Sequence, residues 1–419
     1  MLLNTLRAGP LPLHHVRVVD LTNVIAGPVT TRVLGQLGAQ VIKVELPWGR
    51  AVGNIALHTQ ESDHPRPYNA VATFNEVNRA KLSIAINLAH QSGKRLFLGL
   101  VGLSDVVIEN YSPRVMGNLG LRYQELVKVR PDLIMVSMPA LGDPGPWSNY
   151  ISFGPGTEAL AGLCDITGYQ GGPPHKPGNY YADQNSAFHV ATAIMAAIWK
   201  RRRTGRGQHI KIVLRDTTMA VMGEYFLGYQ LTGRPPHRIG NRHPNMAPHN
   251  VYRCKGEDAW VAIAVANDTE WKRFRKAIGD PRWCRDFRFA SAGGRKDHQE
   301  EIDSLIQSWT KGRTPYEVMH ALQARGIKAG AVMKAPDILA DPQYAARDFL
   351  DRTDHPDGGH YKHPGLPWKF SSAPTDMGLR APLFAEHSNW VLQDLLDLGE
   401  EEIAALRREG TAPLEPVPR

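Results

Sequence analysis

Apolar residues in the first third of the chain fall in short runs separated by amphipathic stretches. "VRVVDL" (16–21), "QVIKVEL" (40–46), "DVVIEN" (105–110) and "DLIMVSM" (132–138) are rich in aliphatic side chains with little alternation. That pattern suits strands covered on both faces. Between them, "VTTRVLGQLGA" (29–39) and the segments near 92–102 and 122–129 read as helices, and 47–70 is polar and contains proline. Strands spaced by helices predict a parallel sheet with right-handed crossovers, a Rossmann-like α/β architecture. Ligands of such open sheets gather beyond the carboxyl ends of the strands, which singles out the loops 22–28, 46–50 and 110–118.

The pattern changes after residue 216. "TTMAVMGEYFLGYQL" (217–231) reads as a helix, and "TGRPPHRIGNRHPNMAPHN" (232–250) as a linker or active-site loop crowded with Pro, Gly, Asn and His. "NVYRCKGEDAWVAIAVAN" supplies two strands around a turn at Lys255–Asp258. Helices follow near 269–277, 297–310 and 314–324, and "AGAVMKA" returns as a strand. A connection rich in Pro and Gly (341–368) precedes a closing helical tail, 386–409. The expected organisation is a large Rossmann-like domain (1–216), a linker or active-site loop (217–247) and a small α/β domain (248–333). A return linker (334–368) and a C-terminal helical segment rejoining the large domain (369–419) complete it.

Composition narrows the function. With 419 residues, 42% hydrophobic and 21% charged, the chain has material for two globular units. The first twenty residues lack an apolar run followed by a small-residue cleavage site, and no stretch approaches the ~18 apolar residues of a membrane span. The expectation is a cytoplasmic protein with no membrane partner. Cys164, Cys254 and Cys284 lie far apart without a CxxC pair, which suits a reducing compartment and argues against structural zinc. His237, His243 and His249, six apart, lack metal-ligand spacing, so no metal is expected.

The net charge of +8 favours anionic partners, but the basic residues are scattered. Their densest cluster, Lys200 to Arg203 with Arg206, reads as a helix C-terminus that Gly205 can cap in the left-handed conformation. No nucleic-acid partner is expected, and a phosphorylated small molecule accounts for the charge equally well. "TNVIAGPVTT" after the first strand carries one glycine, not GxGxxG, which disfavours NAD or FAD. Neither a phosphate-binding GxxxxGK[ST] nor a nucleophile elbow GxSxG occurs.

"GNYYADQNSAFHVATAIMAAIWKRRRTGRGQ" (178–208) holds a single carboxylate, Asp183, directly ahead of an Ala-rich helix expected to be buried on most faces. Asp183 suits an N-cap, whose side chain accepts hydrogen bonds from free N–H groups. The same place keeps a carboxylate ionised and able to attack an acyl carbon. Position alone leaves both readings open.

The order of several motifs goes further. "VRVVDLTNVIAGPVTTRVLGQLGAQVIKVELPWGR", "NRAKLSIAINL", "DVVIENYSP", "LGLRYQELVKVRPDLIMVSMPALGDPGP", "RRTGRGQHIKIVLRD" and "RAPLFAEHSNWVL" follow one another along nearly the whole chain. Together they resemble the class III CoA-transferases, the family of formyl-CoA transferase and carnitine CoA-transferase. Its sister activity is that of the α-methylacyl-CoA racemases. The resemblance implies that Asp183, in "YYADQNSA", is the nucleophile of a double displacement through aspartyl anhydride and aspartyl-CoA thioester intermediates. It implies CoA or acyl-CoA as substrate with no permanently bound cofactor, a carboxylic acid acceptor, and an interlocked homodimer, with a heteromer also conceivable. Carried over by motif, the CoA contacts are Asn23, Val24, Ile25, Asn78, Arg79, Lys81, Ile86, Asn110 and Tyr111. Arg79 and Lys81 suit the phosphates as charge-assisted donors, and are otherwise solvated surface cations.

The chain departs from the family pattern in several places. Leu46 follows "KVE" and Asn118 precedes "LGLRY" where basic residues are often found. "HRIGNRHPNMAPHN" replaces the glycine-run loop of formyl-CoA transferase, so formate–oxalate specificity is not expected. A larger pocket with His243 and Asn245 near the acceptor is the expectation instead. This region looks most like that of transferases serving dicarboxylic or aromatic acids with succinyl-CoA as donor. The racemase alternative needs a histidine base where Phe153 stands, and loses one face of its proton transfer without it.

Overall fold

The computed structural model describes residues 11–50, 66–373 and 379–418. The N-terminal stretch read for a leader and most of the polar segment 47–70 therefore lie outside the described residues, in whole or in part. Six parallel strands form the central sheet: β1 (Arg17–Asp20), β2 (Gln40–Glu45), β3 (Leu82–Ala85), β4 (Val106–Glu109), β5 (Ile134–Ser137) and β6 (Gln208–Lys211). Their order is β3-β2-β1-β4-β5-β6, so the direction of winding reverses between β1 and β4. The Rossmann-like expectation holds, with β1, β2, β4 and β5 where the apolar runs put them.

Two strands carry no clear apolar run. β3 and β6 occupy the edges: "LSIA" is buried throughout with Ser83 hydrogen-bonded to Glu45, and "QHIK" is only partly covered, so both interleave polar residues. Successive residues of the inner strands serve opposite faces. Val18, Val41, Val106, Ile108, Ile134 and Val136 pack with the helices Ala26–Gln36 and Tyr181–Thr204, the latter through Val190, Ile194 and Ile198. Val19, Ile42, Ile84, Val107 and Met135 pack with Leu96, Phe97, Leu100 and Leu126, and with Val391, Leu392, Ile403 and Leu406 from the C-terminal segment.

The chain divides into two compact units. The first comprises the described residues up to Leu163, Lys176–Gln230 and those from Gln343 onward; the second comprises Cys164–His175 and Leu231–Pro342. In the second unit β7 (His249–Arg253), β8 (Trp260–Ala264) and β9 (Lys328–Ala331) form an antiparallel sheet. Tyr252, Val261, Ile263, Trp271, Phe274, Ile302, Ile306 and Leu322 make its core.

Three expected elements differ from the structure. The helix read over 217–231 is two helices, Leu214–Ala220 and Gly223–Thr232. The tail read as one helical stretch contains Ser388–Trp390, Val391–Leu395 and Glu400–Arg408, interrupted where Asp397 takes φ 56°. The irregular connection read over 341–368 contains an antiparallel hairpin, β10 (Leu350–His355) and β11 (Gly359–Pro364). Its buried positions are Asp351, Thr353 and His355, so the period-2 signal is polar and invisible to a hydrophobicity pattern.

At the carboxyl end of β1 the fully buried Asp20 organises the loop that follows. Its Oδ1 accepts from the Thr22 N–H at 2.8 Å and the Thr22 hydroxyl at 2.5 Å. Its Oδ2 accepts from the Thr31 hydroxyl at 2.7 Å and from Lys81 Nζ at 3.0 Å. Lys43 Nζ stands 4.0 Å away and donates to the Thr22 carbonyl at 2.7 Å. Burial alone would raise this carboxyl, but Lys43, Lys81 and the two hydroxyls hold it down to about 2. Its stabilising contribution is therefore fully present above the ordinary aspartate range and is lost as pH falls toward 2.

Asp20→Asn should destabilise the first unit by about 3–5 kcal/mol, because it leaves a buried lysine without its carboxylate. Urea unfolding at pH 7 measures this, and a change below about 1 kcal/mol would show that the pair is not the anchor described.

Candidate active site

The long helix runs from Tyr181 to Thr204, so Asp183 lies inside its first turn and not ahead of it. The N-cap position is Tyr180, which provides no side-chain cap. At the other end Gly205 takes φ 69° and its N–H reaches the Arg201 carbonyl, as the left-handed cap requires. The helix buries one stripe, with Ala182, Asp183, Ser186, Ala187, Val190 and Ile194 among it. Phe188, Met195 and Trp199 remain exposed, so the expectation of burial on most faces does not describe this chain. An Ala-rich helix with apolar residues on more than one side does not show which face meets the sheet.

Asp183 is 7% exposed, and its carboxylate is held from two sides. The backbone N–H of Ala26, at the start of the first helix, lies near enough to favour its charged form. The backbone of Gly154 presses against it: a Cβ there would lie 2.1 Å from Asp183 Oδ2. Glycine at 154 is what admits the carboxylate. Gly154 opens the helix Gly154–Leu160, which also carries Glu158, a fully buried carboxylate. Glu158 Oε1 accepts from the Ala182 N–H at 3.3 Å, while its Oε2 has no hydrogen-bond partner.

Two carboxylates thus share this corner, and neither forms an ion pair among the described residues. Burial first, then repulsion from Glu158, push Asp183 from the ordinary 3.8 up to about 6, against the Ala26 N–H, which favours the anion. The result is an ionised but unusually basic carboxylate at neutral pH, the property a carboxylate nucleophile needs.

The loop after β1 reaches this site directly. Asn23 and Asn110 lock the β1 and β4 loops reciprocally: the Asn23 N–H donates to Asn110 Oδ1 at 2.8 Å, and Asn110 Nδ2 donates to the Asn23 carbonyl at 2.7 Å. Val24 adopts φ 67°, a left-handed conformation that is strained for a β-branched residue. Ile25 is buried against Val29, Val77 and Ala187 of the long helix. Asn23, Val24, Pro28, Leu46, Gly49 and Asn78 line a narrow pocket here, so loops 22–28 and 46–50 do converge.

The other positions matched from the resemblance lie deeper. Lys81 is buried, and its ammonium donates to Asp20, to the Pro28 carbonyl at 2.9 Å and to Asn78 Oδ1 at 2.8 Å. Arg79, also buried, meets Asp351 at 3.4 Å, Glu76 at 3.4 Å and the Pro364 carbonyl at 2.6 Å. Both cations are engaged inside the chain; neither is the solvated surface cation nor an open phosphate donor. Ile86 belongs to the core beneath the sheet.

Tyr111 faces a second, wider cavity at the carboxyl ends of β4, β5 and β6, of about 350 Å³. Glu109 lines it, and burial pushes that carboxyl up to about 7. His243 and His249 lie in the second unit with ring centroids 5.3 Å apart, and the Asn245 N–H meets His243 Nδ1 at 3.1 Å. Among the described residues no cluster of His, Cys, Asp or Glu is arranged to hold a metal ion. Sequence reasoning missed Gly154 and Glu158. "GPGTEALAG" contains the signal, a glycine-rich turn followed by one carboxylate, but nothing in it shows that the turn folds onto residue 183.

Comparison with known proteins adds the following. The model of CoA-transferase family III matches residues 13–388. The succinyl-CoA–D-citramalate CoA-transferase of Chloroflexus aurantiacus is 32% identical over 95% of this chain and 97% of its own length. The succinate–glutarate CoA-transferase of Agrobacterium fabrum is 31% identical over 92% and 96%. The crystal structure of a CAIB/BAIF family protein from Brucella suis superposes with a TM-score of 0.82 at 31% identity, covering 92% of this chain and all of that one.

Because the folded state resists ionising Asp183, that residue costs stability as pH rises from 3.8 through about 6. Asp183→Asn should therefore be more stable than the parent at pH 8, by up to about 3 kcal/mol at ~1.4 kcal/mol per pKa unit. The advantage should shrink toward pH 4. Paired denaturant titrations at the two pH values check this, and equal stability at pH 8 would contradict the environment described.

Proposed function

The chain belongs to CoA-transferase family III, and on that footing we propose that Asp183 carries CoA between two carboxylic acids as a covalent thioester. The observation that supports it most is the buried carboxylate of Asp183, which forms no ion pair among the described residues and lies against Gly154 with the Ala26 N–H favouring its charge. Asp183 attacks the donor thioester carbon, expelling CoA thiolate and leaving a mixed anhydride. The thiolate attacks the aspartyl carbonyl, giving an Asp183–CoA thioester and releasing the donor carboxylate. The acceptor carboxylate attacks that thioester, regenerating the thiolate and a second anhydride. The thiolate then attacks the acceptor's acyl carbon, and the Asp183 carboxylate returns. Every step exchanges one acyl bond for another, so the cycle balances without ATP or an added oxidant. The protein has to exclude water from the anhydrides and to stabilise each oxyanion.

In this reading the strained loop 23–25 and the Asn23–Asn110 lock hold CoA against β1 and β4. Lys81 and Arg79 support that surface from below and do not touch the phosphates. The relatives named for succinyl-CoA and for glutarate or citramalate favour a dicarboxylate exchange with succinyl-CoA as donor. The racemase alternative finds no acid–base group at Phe153, which is exposed and apolar. The exposed Phe188, Met195 and Trp199 on the long helix, with Tyr225, Phe226 and Leu227 on Gly223–Thr232, favour a homodimer that covers them. The interlocked form is the family's.

Asp183→Ala should abolish CoA exchange between succinyl-CoA and a panel of dicarboxylates. In the parent, hydroxylamine or borohydride should trap a modification at Asp183 that mass spectrometry locates. Turnover near the parent rate in the alanine variant would refute the assignment. Gly154→Ala, which displaces the carboxylate without removing it, should lose about 100-fold in turnover. Sedimentation equilibrium should give twice the chain mass of 46.4 kDa; a monomer at micromolar concentration would refute the dimer.

A further inference from the structure

Glu158 is a buried carboxylate with no counter-ion among the described residues, and the displacement above does not use it. It is fully buried, its Oε1 is tied to the Ala182 N–H, and its Oε2 is unpartnered. Its helix begins at the glycine that touches Asp183 Oδ2, and Ala182 is the residue before the nucleophile. Burying an unpaired charge beside a like charge is destabilising, and a glutamine would fill the same space without that penalty. The arrangement makes sense if the repulsion is present in one state of the cycle and absent in the others.

Resting on the covalent reading above, we propose that Glu158 is a positioning residue that biases Asp183 toward its acylated forms. While Asp183 is an anion, the two carboxylates repel. Once Asp183 becomes an anhydride or a CoA thioester it is neutral, and the repulsion is gone. The destabilisation thus falls on the free enzyme and not on the covalent intermediates. Glu158 takes no proton and forms no bond in this scheme. Its hydrogen bond from the Ala182 N–H fixes the distance over which it acts.

The surroundings leave Glu158 as the charge that matters. On the first helix Arg32 is paired with Glu76. On Leu214–Ala220, Arg215 faces its neighbour Asp216, and Thr217 offers only a hydroxyl, to Ser186 at 2.6 Å. On the long helix His189 is exposed and bonded to the Asn185 carbonyl. The Ala26 N–H opposes the effect of Glu158, and burial adds to it.

The test compares the parent with Glu158→Gln and Glu158→Leu, both neutral, and with Glu158→Asp, which keeps the charge. Each is incubated with succinyl-CoA, and the fraction carrying CoA on Asp183 is read by intact mass. In parallel, the acid limb of kcat/KM is followed from pH 4 to 9. The neutral variants should show at least about tenfold less thioester relative to free enzyme and an acid limb moved toward ordinary aspartate, one pKa unit being a factor of ten. Glu158→Asp should stay near the parent. The neutral variants should also be at least as stable as the parent. Unchanged occupancy and an unchanged limb would overturn the proposal, as would unfolding of both neutral variants. A parent that never carries CoA on Asp183 would instead refute the covalent reading itself.

Discussion

The Asp20 carboxylate is the constraint from which the rest of the site follows. It lies at the carboxyl end of β1, where the sheet reverses its winding, entirely out of water. A bare carboxylate there would be costly, and the chain answers with two lysines from β2 and the β3 approach and with hydroxyls from Thr22 and Thr31. These partners come from separate segments, so satisfying one charge fixes their mutual positions. Thr22, held at both N–H and hydroxyl, starts the next loop at a set angle. Gly27 allows the return, since a Cβ there would lie 2.2 Å from that of Thr22. The loop so bent forces Val24 to positive φ and delivers the Ala26 N–H to Asp183.

The same unit therefore treats two buried aspartates in opposite ways. Asp20 has cations and hydroxyls around it and is held at about 2. Asp183 has one backbone N–H, a glycine and another carboxylate, and rises to about 6. Environments that push like groups apart mark out their roles. A fully compensated charge is rigid and unreactive; an uncompensated one keeps its electron pair available. Moving a lysine beside Asp183 would stabilise the fold and lower the basicity of its carboxylate.

How much of this the chain announces in advance depends on whether the signal is local and apolar. The inner strands and the helix after β1 are runs of aliphatic residues, and they are legible. The edge strands β3 and β6 are not, because the buried Ser83 is satisfied by Glu45 and the Ala385 N–H, and partial cover of β6 permits Gln208 and His209. The hairpin β10–β11 is hidden for a related reason: Asp351 and His363 face inward toward Arg79 and Glu76, so its buried side is polar. Asp183 stands out because it is the single carboxylate of residues 178–208. Glu158 and Gly154 do not, since their importance is a contact between segments some 25–30 residues apart. Motif order singled out Asp183, while the residues packed around it are visible only in three dimensions.

The basic charge of the chain illustrates the same limit. A net charge of +8 suggests cations waiting for an anionic substrate. Yet Lys43, Lys81, Arg79 and Arg50 are buried and committed to Asp20, Asp351 and Glu45. A free cation at the reacting carboxylate would pair with Asp183, lower its basicity and compete with the acyl carbon. Attraction for an anionic thioester is compatible with an active nucleophile only if it acts far from the bond being broken. Binding energy from the remote part of such a substrate can then be applied to its reacting end. Committing those cations to other carboxylates is what lets a strongly basic chain keep Asp183 and Glu158 without an ion pair among the described residues.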